Sequence, residues 1–136
     1  MSRGYDKNNT SVYQMLYHYI WIPKRRKKVL VGDIKKRLES LINEKLIELK
    51  CSVIKLSVMP DHVHLFVSCN PKLSPNHIIS QVKGFTSRKL RKEFPVLRKI
   101  PSLWTNSYFV SSAGNVSGFV IKKYIEEQLN AKNKHY

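Results

Sequence analysis

The sequence predicts an α+β domain built on an antiparallel sheet, and three observations predict it. Strand-like apolar blocks occur in four places, two stretches between them repeat at the helical period, and only Pro60-Asp61 separates the second block from the third. In chain order this reads β-α-β-β-α-β, the ferredoxin-like or RRM-like arrangement, in which two helices cover one face of the sheet and leave the other open. A further helix follows at the C-terminus, and the open face is its expected docking place.

Each element has a local reason. Residues 1–12 are polar and Asn-rich and read as a frayed, flexible terminus. From Gln14 to Trp21 the chain is dense in aromatic and β-branched residues and stops at Pro23, as a strand followed by a break would. Lys24 to Lys28 then form an exposed basic loop. After Gly32-Asp33, apolar residues at Ile34, Leu38, Leu41, Ile42, Leu46 and Leu49 keep the 3.6-residue period of an amphipathic helix. Ser52–Met59 and His62–Cys69 are the arms of a hairpin turned at Pro60-Asp61. Ser74-Pro75 supplies an N-cap and a first-turn proline for a second helix that ends before Pro95. Leu103–Val110 is the fourth strand, although Asn106 and Ser107 break its pattern. Residues 111–118, rich in Ser, Gly and Asn, read as a linker, and a final helix runs from Val116 or Ser117 to Lys132. No repeat or second domain is visible, so residues 1–136 read as a single domain.

Composition limits what such a domain can do. Against 25 Lys plus Arg stand 9 Asp plus Glu, a formal charge of +16 over 136 residues, which points to a polyanionic partner. A hydrophobic fraction of 42% is enough for a core despite that charge. The few acids, spread over helix patterns and turns, leave little material for an all-carboxylate two-metal nuclease. No apolar run approaches the roughly 18 residues of a membrane span, and Met1 to Asp6 lacks the apolar stretch of a signal peptide. The expected location is therefore cytoplasmic, with no membrane partner. Cys51 and Cys69 lie in strand-like segments and read as small buried hydrophobes.

Chemistry could reside in two patterns. His62 and His64 are separated by one residue in a strand, so both point to one face while Val63, Leu65 and Val67 point to the other. Two adjacent imidazoles can share a divalent metal, yet stray strand histidines are also ordinary. Asp61 could tune such a ligand or simply serve the turn. On the last helix Tyr124 and Gln128, four residues apart, share a face. Docked on the open sheet face, they would meet the histidines; packed otherwise, the tyrosine is core and the glutamine solvated.

The residues themselves go further as a set. Tyr17-His18-Tyr19-Ile20-Trp21-Ile22-Pro23-Lys24, Met59-Pro60-Asp61-His62-Val63-His64-Leu65 and Val82-Lys83-Gly84-Phe85-Thr86-Ser87-Arg88 occur in order. They are followed by Leu103-Trp104 with Ser107-Tyr108, and by Val120 through Gln128. Together they resemble the single-tyrosine HUH transposases, the TnpA-type, IS200-like enzymes of the smallest bacterial and archaeal insertion sequences. The resemblance runs over roughly residues 13–130, with the histidine pair, the basic helix and the Tyr-x-x-x-Gln each in its own element. The run Lys24 to Lys28 departs from it, because the family more often interrupts those basic residues with an aromatic.

What the resemblance implies is specific. Tyr124 takes the nucleophile position, His62 and His64 the two histidine ligands, and Gln128 the third ligand of a divalent metal, Mg²⁺ or alternatively Mn²⁺. His18 matches a recurrent family residue to which no catalytic role is assigned. The activity implied is cleavage and rejoining of single-stranded DNA at hairpin-bearing ends through a 5′-phosphotyrosine, with no nucleotide cofactor. A homodimer with shared active sites is the implied assembly. Lys24, Arg25, Arg26, Lys83, Arg88, Lys89, Arg91 and Lys92 are candidate phosphate contacts, and Lys122 and Lys123 flank the nucleophile. Three alternatives remain: a domesticated repeat-processing relative, a replication-initiator or relaxase-type HUH nuclease, and a non-catalytic RRM-like nucleic-acid-binding module.

Overall fold

The computed structural model describes residues 14–112. The final helix, with Tyr124, Gln128, Lys122 and Lys123, lies outside the described residues, as do residues 1–12 and most of the 111–118 linker. Six main elements follow in the expected order: β1 (Met15–Trp21), α1 (Gly32–Glu48), β2 (Ser52–Met59), β3 (His62–Cys69), α2 (Pro75–Glu93) and β4 (Phe109–Ser112). The sheet order is β2-β3-β1-β4 with every pairing antiparallel, which is the ferredoxin-like arrangement.

Alternation sets the faces of the sheet. Tyr17, Tyr19 and Trp21 of β1 and Val63, Leu65 and Val67 of β3 join Leu38, Leu41, Ile42 and Leu46 of α1 and Ile78, Ile79 and Val82 of α2 in one buried cluster. β2 reaches the same face only by a bulge, since Val53 pairs Val67 while Lys55 pairs Phe66. The surplus Ile54 resets the alternation, so that Leu56 and Val58 stay opposite Leu65 and Val63. An unbroken strand would have turned Lys55 inward instead.

The helices are fixed by caps and cross-ties. The Ser74 hydroxyl accepts from the His77 amide at 3.0 Å, the cap expected from the sequence, and the Tyr19 hydroxyl donates to the Pro75 carbonyl at 2.8 Å. Gly32 opens α1 at φ +58°, where a side chain would be strained. Arg37 holds Glu93 with two bonds of 2.7 and 3.0 Å, joining α1 to α2.

The fourth strand differs from its expected span. It covers Phe109–Ser112 rather than 103–110, and takes Ser111 and Ser112 from the expected linker. The register explains the difference. Ile20 pairs Phe109 and Pro23 bridges Trp104, so Trp21 and Ile22 on one side face Thr105, Asn106, Ser107 and Tyr108 on the other. Two surplus residues must leave the ladder, and this polar stretch loops out. The Lys83 ammonium ties it down by donating to the carbonyls of Thr105 at 2.7 Å and Ser107 at 3.1 Å. At the near end Trp104 packs edge-on against Trp21, and its indole donates to the Thr86 hydroxyl at 3.0 Å.

Candidate metal centre on the open face

Turned away from the helices, β3 carries His62, His64 and Phe66, and β1 carries His18 and Ile20. Ile20 pairs His64 and His18 pairs Phe66, while Ser57 and Met59 of β2 oppose His64 and His62. His18, His62 and His64 are 0%, 4% and 2% exposed, so these imidazoles are as buried as the aliphatic core on the other face. The two histidines expected as ligands stand edge to face, with ring centroids 4.9 Å apart.

Both rings are engaged at Nδ1. His62 Nδ1 donates to Asp61 Oδ1 at 2.7 Å, the carboxylate being able only to accept. Asp61 Oδ2 in turn pairs with Arg26 Nε at 3.2 Å. Burial of Asp61 opposes its charge, but the bond to His62, that ring's field and the Arg26 charge outweigh it and hold the carboxyl below its usual value. His64 Nδ1 lies 3.4 Å from His18 Nε2, with the two rings nearly parallel and 5.6 Å apart. The atom that each ligand ring can offer a cation is therefore Nε2. Two such nitrogens suit a divalent transition ion and are compatible with Mg²⁺ once phosphate oxygens join them. Among the described residues no three His, Cys, Asp or Glu side chains form a metal group. The expected third donor, Gln128, lies outside the described residues.

The described tyrosines lie on the helix side, away from the histidine face. Tyr17 and Tyr19 belong to the helix-side core, and Tyr108 bonds Asn76 on that side at 2.9 Å. Burial pushes the Tyr19 phenol well above its ordinary pKa, and the neighbouring Cys69, Tyr17, Cys51 and Tyr108 add to the shift.

The candidate phosphate contacts fall into two groups. Arg25, Arg88, Lys89 and Lys92 are exposed and Lys24 is half-buried. Arg26 is paired with Asp61, Arg91 donates to the Pro101 carbonyl at 3.0 Å, and Lys83 holds the Thr105–Tyr108 loop. Burial lowers the Lys83 pKa by removing water from the ammonium. A cleft of about 310 Å³ lies between α2 and residues 102–108, away from the histidines. Both cysteines are free and buried, as their setting in the sequence suggested.

The protein is thus an α+β domain on a ferredoxin-like antiparallel sheet, with a buried His-x-His on the face opposite its helices. Comparison with known proteins narrows it. The chain belongs to the IS200-like transposase family, whose profile matches residues 11–128. It is 34% identical over 129 residues to the ISDra2 transposase TnpA of Deinococcus radiodurans, covering 93% of this chain and 88% of that protein. To the transposase of insertion sequence element IS200 of Salmonella typhimurium it is 29% identical over 117 residues, covering 83% and 76%. The crystal structure of a Deinococcus radiodurans protein assigned as a transposase superposes with a TM-score of 0.73 at 32% identity, covering 90% of this chain and 97% of that one. The REP-associated tyrosine transposase bound to a REP hairpin shares the fold, with a TM-score of 0.60 at 12% identity over 93% and 68% of the two chains. Among the described residues no helix is long and apolar enough to cross a membrane.

Proposed function

We propose that this transposase cleaves and rejoins single-stranded DNA at hairpin-bearing ends, with Tyr124 as nucleophile and His62, His64 and Gln128 as the holders of a divalent cation. The observation that carries the reading is the buried pair of imidazoles, each engaged at Nδ1, in a chain of the IS200-like family. The cation, Mg²⁺ with Mn²⁺ as an alternative, would polarise and orient the scissile phosphate. The Tyr124 oxygen attacks phosphorus, the new P–O bond replaces the bond to the 3′ oxygen, and the phenol proton passes to solvent or a neighbouring base. The strand leaves with a free 3′-OH and the protein keeps a 5′-phosphotyrosine. A 3′-OH attacking that linkage reverses the exchange and joins strands, so the ester bond is conserved and no nucleotide is consumed.

Neutral ligands leave the cation its full double charge, so DNA phosphate serves as the neutralising anion and metal affinity should rise when DNA is bound. The excess of basic residues serves the same substrate, and DNA affinity is expected to fall steeply with salt. We further propose a homodimer in which histidines of one protomer meet the tyrosine of its partner. The 34% identity to an insertion-sequence transposase favours this reading over a repeat-processing relative, for which the REP-hairpin complex supplies only a shared fold.

The test uses single-stranded oligonucleotides covering the DNA that flanks the protein's own gene. A denaturation-resistant adduct with Mg²⁺, absent in Tyr124→Phe while binding persists, supports the reading. Binding without any adduct across those ends favours a non-catalytic module.

A further inference from the structure

We infer that Asp61 and His18 are positioning residues, each holding one ligand histidine in the tautomer that presents Nε2 to the metal, with Arg26 fixing Asp61. The inference rests on the proposed metal centre and goes beyond it, since neither residue would touch the cation or the DNA.

A neutral imidazole has one N–H and one lone pair, so a ring that binds metal through Nε2 must carry its proton on Nδ1. On His62 the tautomer is imposed by charge. Asp61 accepts from Nδ1 at 2.7 Å and cannot donate. Asp61 is itself doubly held, by its place in the hairpin turn and by Arg26 at 3.2 Å. The turn also accepts from the Leu30 amide through the Pro60 carbonyl at 3.0 Å, which sets the hairpin beside the segment that follows Arg26. Arg25 and Arg26 adopt left-handed φ values of 59° and 53°, each unfavourable for a residue with a side chain. These two left-handed residues bend the basic run, and Arg26 turns back on Asp61.

On His64 the partner is neutral. Its Nδ1 meets His18 Nε2 at 3.4 Å, and two proton arrangements would satisfy that contact. In one, His18 donates and His64 carries its proton on Nε2, which blocks the metal. In the other, His64 donates from Nδ1, His18 carries its own proton on Nδ1, and His64 presents Nε2. The His18 ring is set for this role, fully buried with Phe66 and Phe109 edge-on at 6.4 and 6.3 Å. Orienting partners of this kind are worth about 10–100-fold in metal affinity. The anionic Asp61 strengthens its ligand more than the neutral His18 does, so its loss should lie at the upper end.

The test measures tautomers first, on the full chain with ¹⁵N-labelled histidine, without metal, at a pH where the same spectra show neutral rings. Long-range ¹H–¹⁵N spectra are expected to show His62 and His64 protonated at Nδ1; a His64 protonated at Nε2 overturns the His18 assignment whatever any variant does. Mn²⁺ affinity, read by electron paramagnetic resonance with hairpin DNA present, should then fall about 10–100-fold in His18→Phe and Asp61→Ala. His18→Gln, whose amide oxygen can accept from His64 Nδ1, should recover most of the loss. Unchanged tautomers and Mn²⁺ affinity in His18→Phe, or equal loss in His18→Phe and His18→Gln, overturn the inference. Wild-type protein that forms no DNA adduct but shows the expected tautomers and Mn²⁺ response overturns the proposed reaction and leaves the positioning roles standing.

Discussion

The two faces of strand β3 are both buried and differently built. On the helix side, Val63, Leu65 and Val67 meet α1 and α2 through shape alone, and each position asks only for an apolar side chain of the right volume. On the other side the intervening residues of the same strand, His62 and His64, are held by directed bonds to Asp61 and His18. A single eight-residue strand thus carries the apolar core on one side of its alternation and the residues of the proposed metal site on the other. The contrast teaches that burial by itself is uninformative here; what separates the faces is whether the buried atoms have to point in a particular direction.

The sharpest way to break the contrast is at the chemistry. Tyr124→Phe should abolish the covalent DNA adduct while leaving DNA binding and thermal stability unchanged; an adduct that survives removes the tyrosine from the reaction. Next come neighbours on the two faces. His64→Ala should eliminate metal-dependent cleavage with the fold retained. Leu65→Ala, one residue away, should cost about 2–5 kcal/mol in denaturant unfolding and leave the remaining folded protein cleaving normally. Equal stability losses in both variants would show that the histidines are core residues. Mixing Tyr124→Phe with His62→Ala protein then asks whether the chemical face is shared between protomers: regained cleavage supports sharing, and none counts against it.

Smaller effects belong to the helix side. Lys83→Met removes two bonds to the Thr105–Tyr108 loop and should cost about 1 kcal/mol, measured by urea denaturation. A larger effect on DNA affinity than on stability would support Lys83 as a phosphate contact as well. The smallest change is electrostatic. Arg37, through its bonds to Glu93, lowers that carboxyl's pKa in the folded state, against a small opposing burial effect and with help from Lys89 and Lys92. Its stabilising contribution is present above the unfolded-state value and is lost as pH falls through the depressed folded value. Glu93→Gln should flatten that acid limb in thermal melts across the carboxylate range; an unchanged limb would assign the acid sensitivity to other carboxyls.

Much of this was legible because it is local. The α2 cap at Ser74, the hairpin at Pro60-Asp61 and the arms of β2 and β3 depend on residues within a few positions of one another. The common face of His62 and His64 follows from strand alternation in the same way. The limits of the fourth strand are not legible locally, because they depend on register against β1, where two surplus residues leave the ladder, and no local pattern counts residues on a strand 80 or more positions away. The internal partners of Lys83 are not legible in the sequence, because the carbonyls of Thr105 and Ser107 reach it only where that stretch loops out of the ladder.

The sequence by itself determined the element order, the alternation that separates histidines from core, and the family resemblance carried by its motifs. Tertiary structure decided what each imidazole faces. His18 and His64 are 46 positions apart and meet because β1 and β3 pair antiparallel in one register, and a shift of a single residue would put them on opposite faces. Asp61 sits next to His62 in sequence, but its second partner Arg26 is delivered by a strained turn that no periodicity encodes. Period and composition are properties of a chain, whereas the direction of a hydrogen bond belongs to two segments only after folding has placed them side by side.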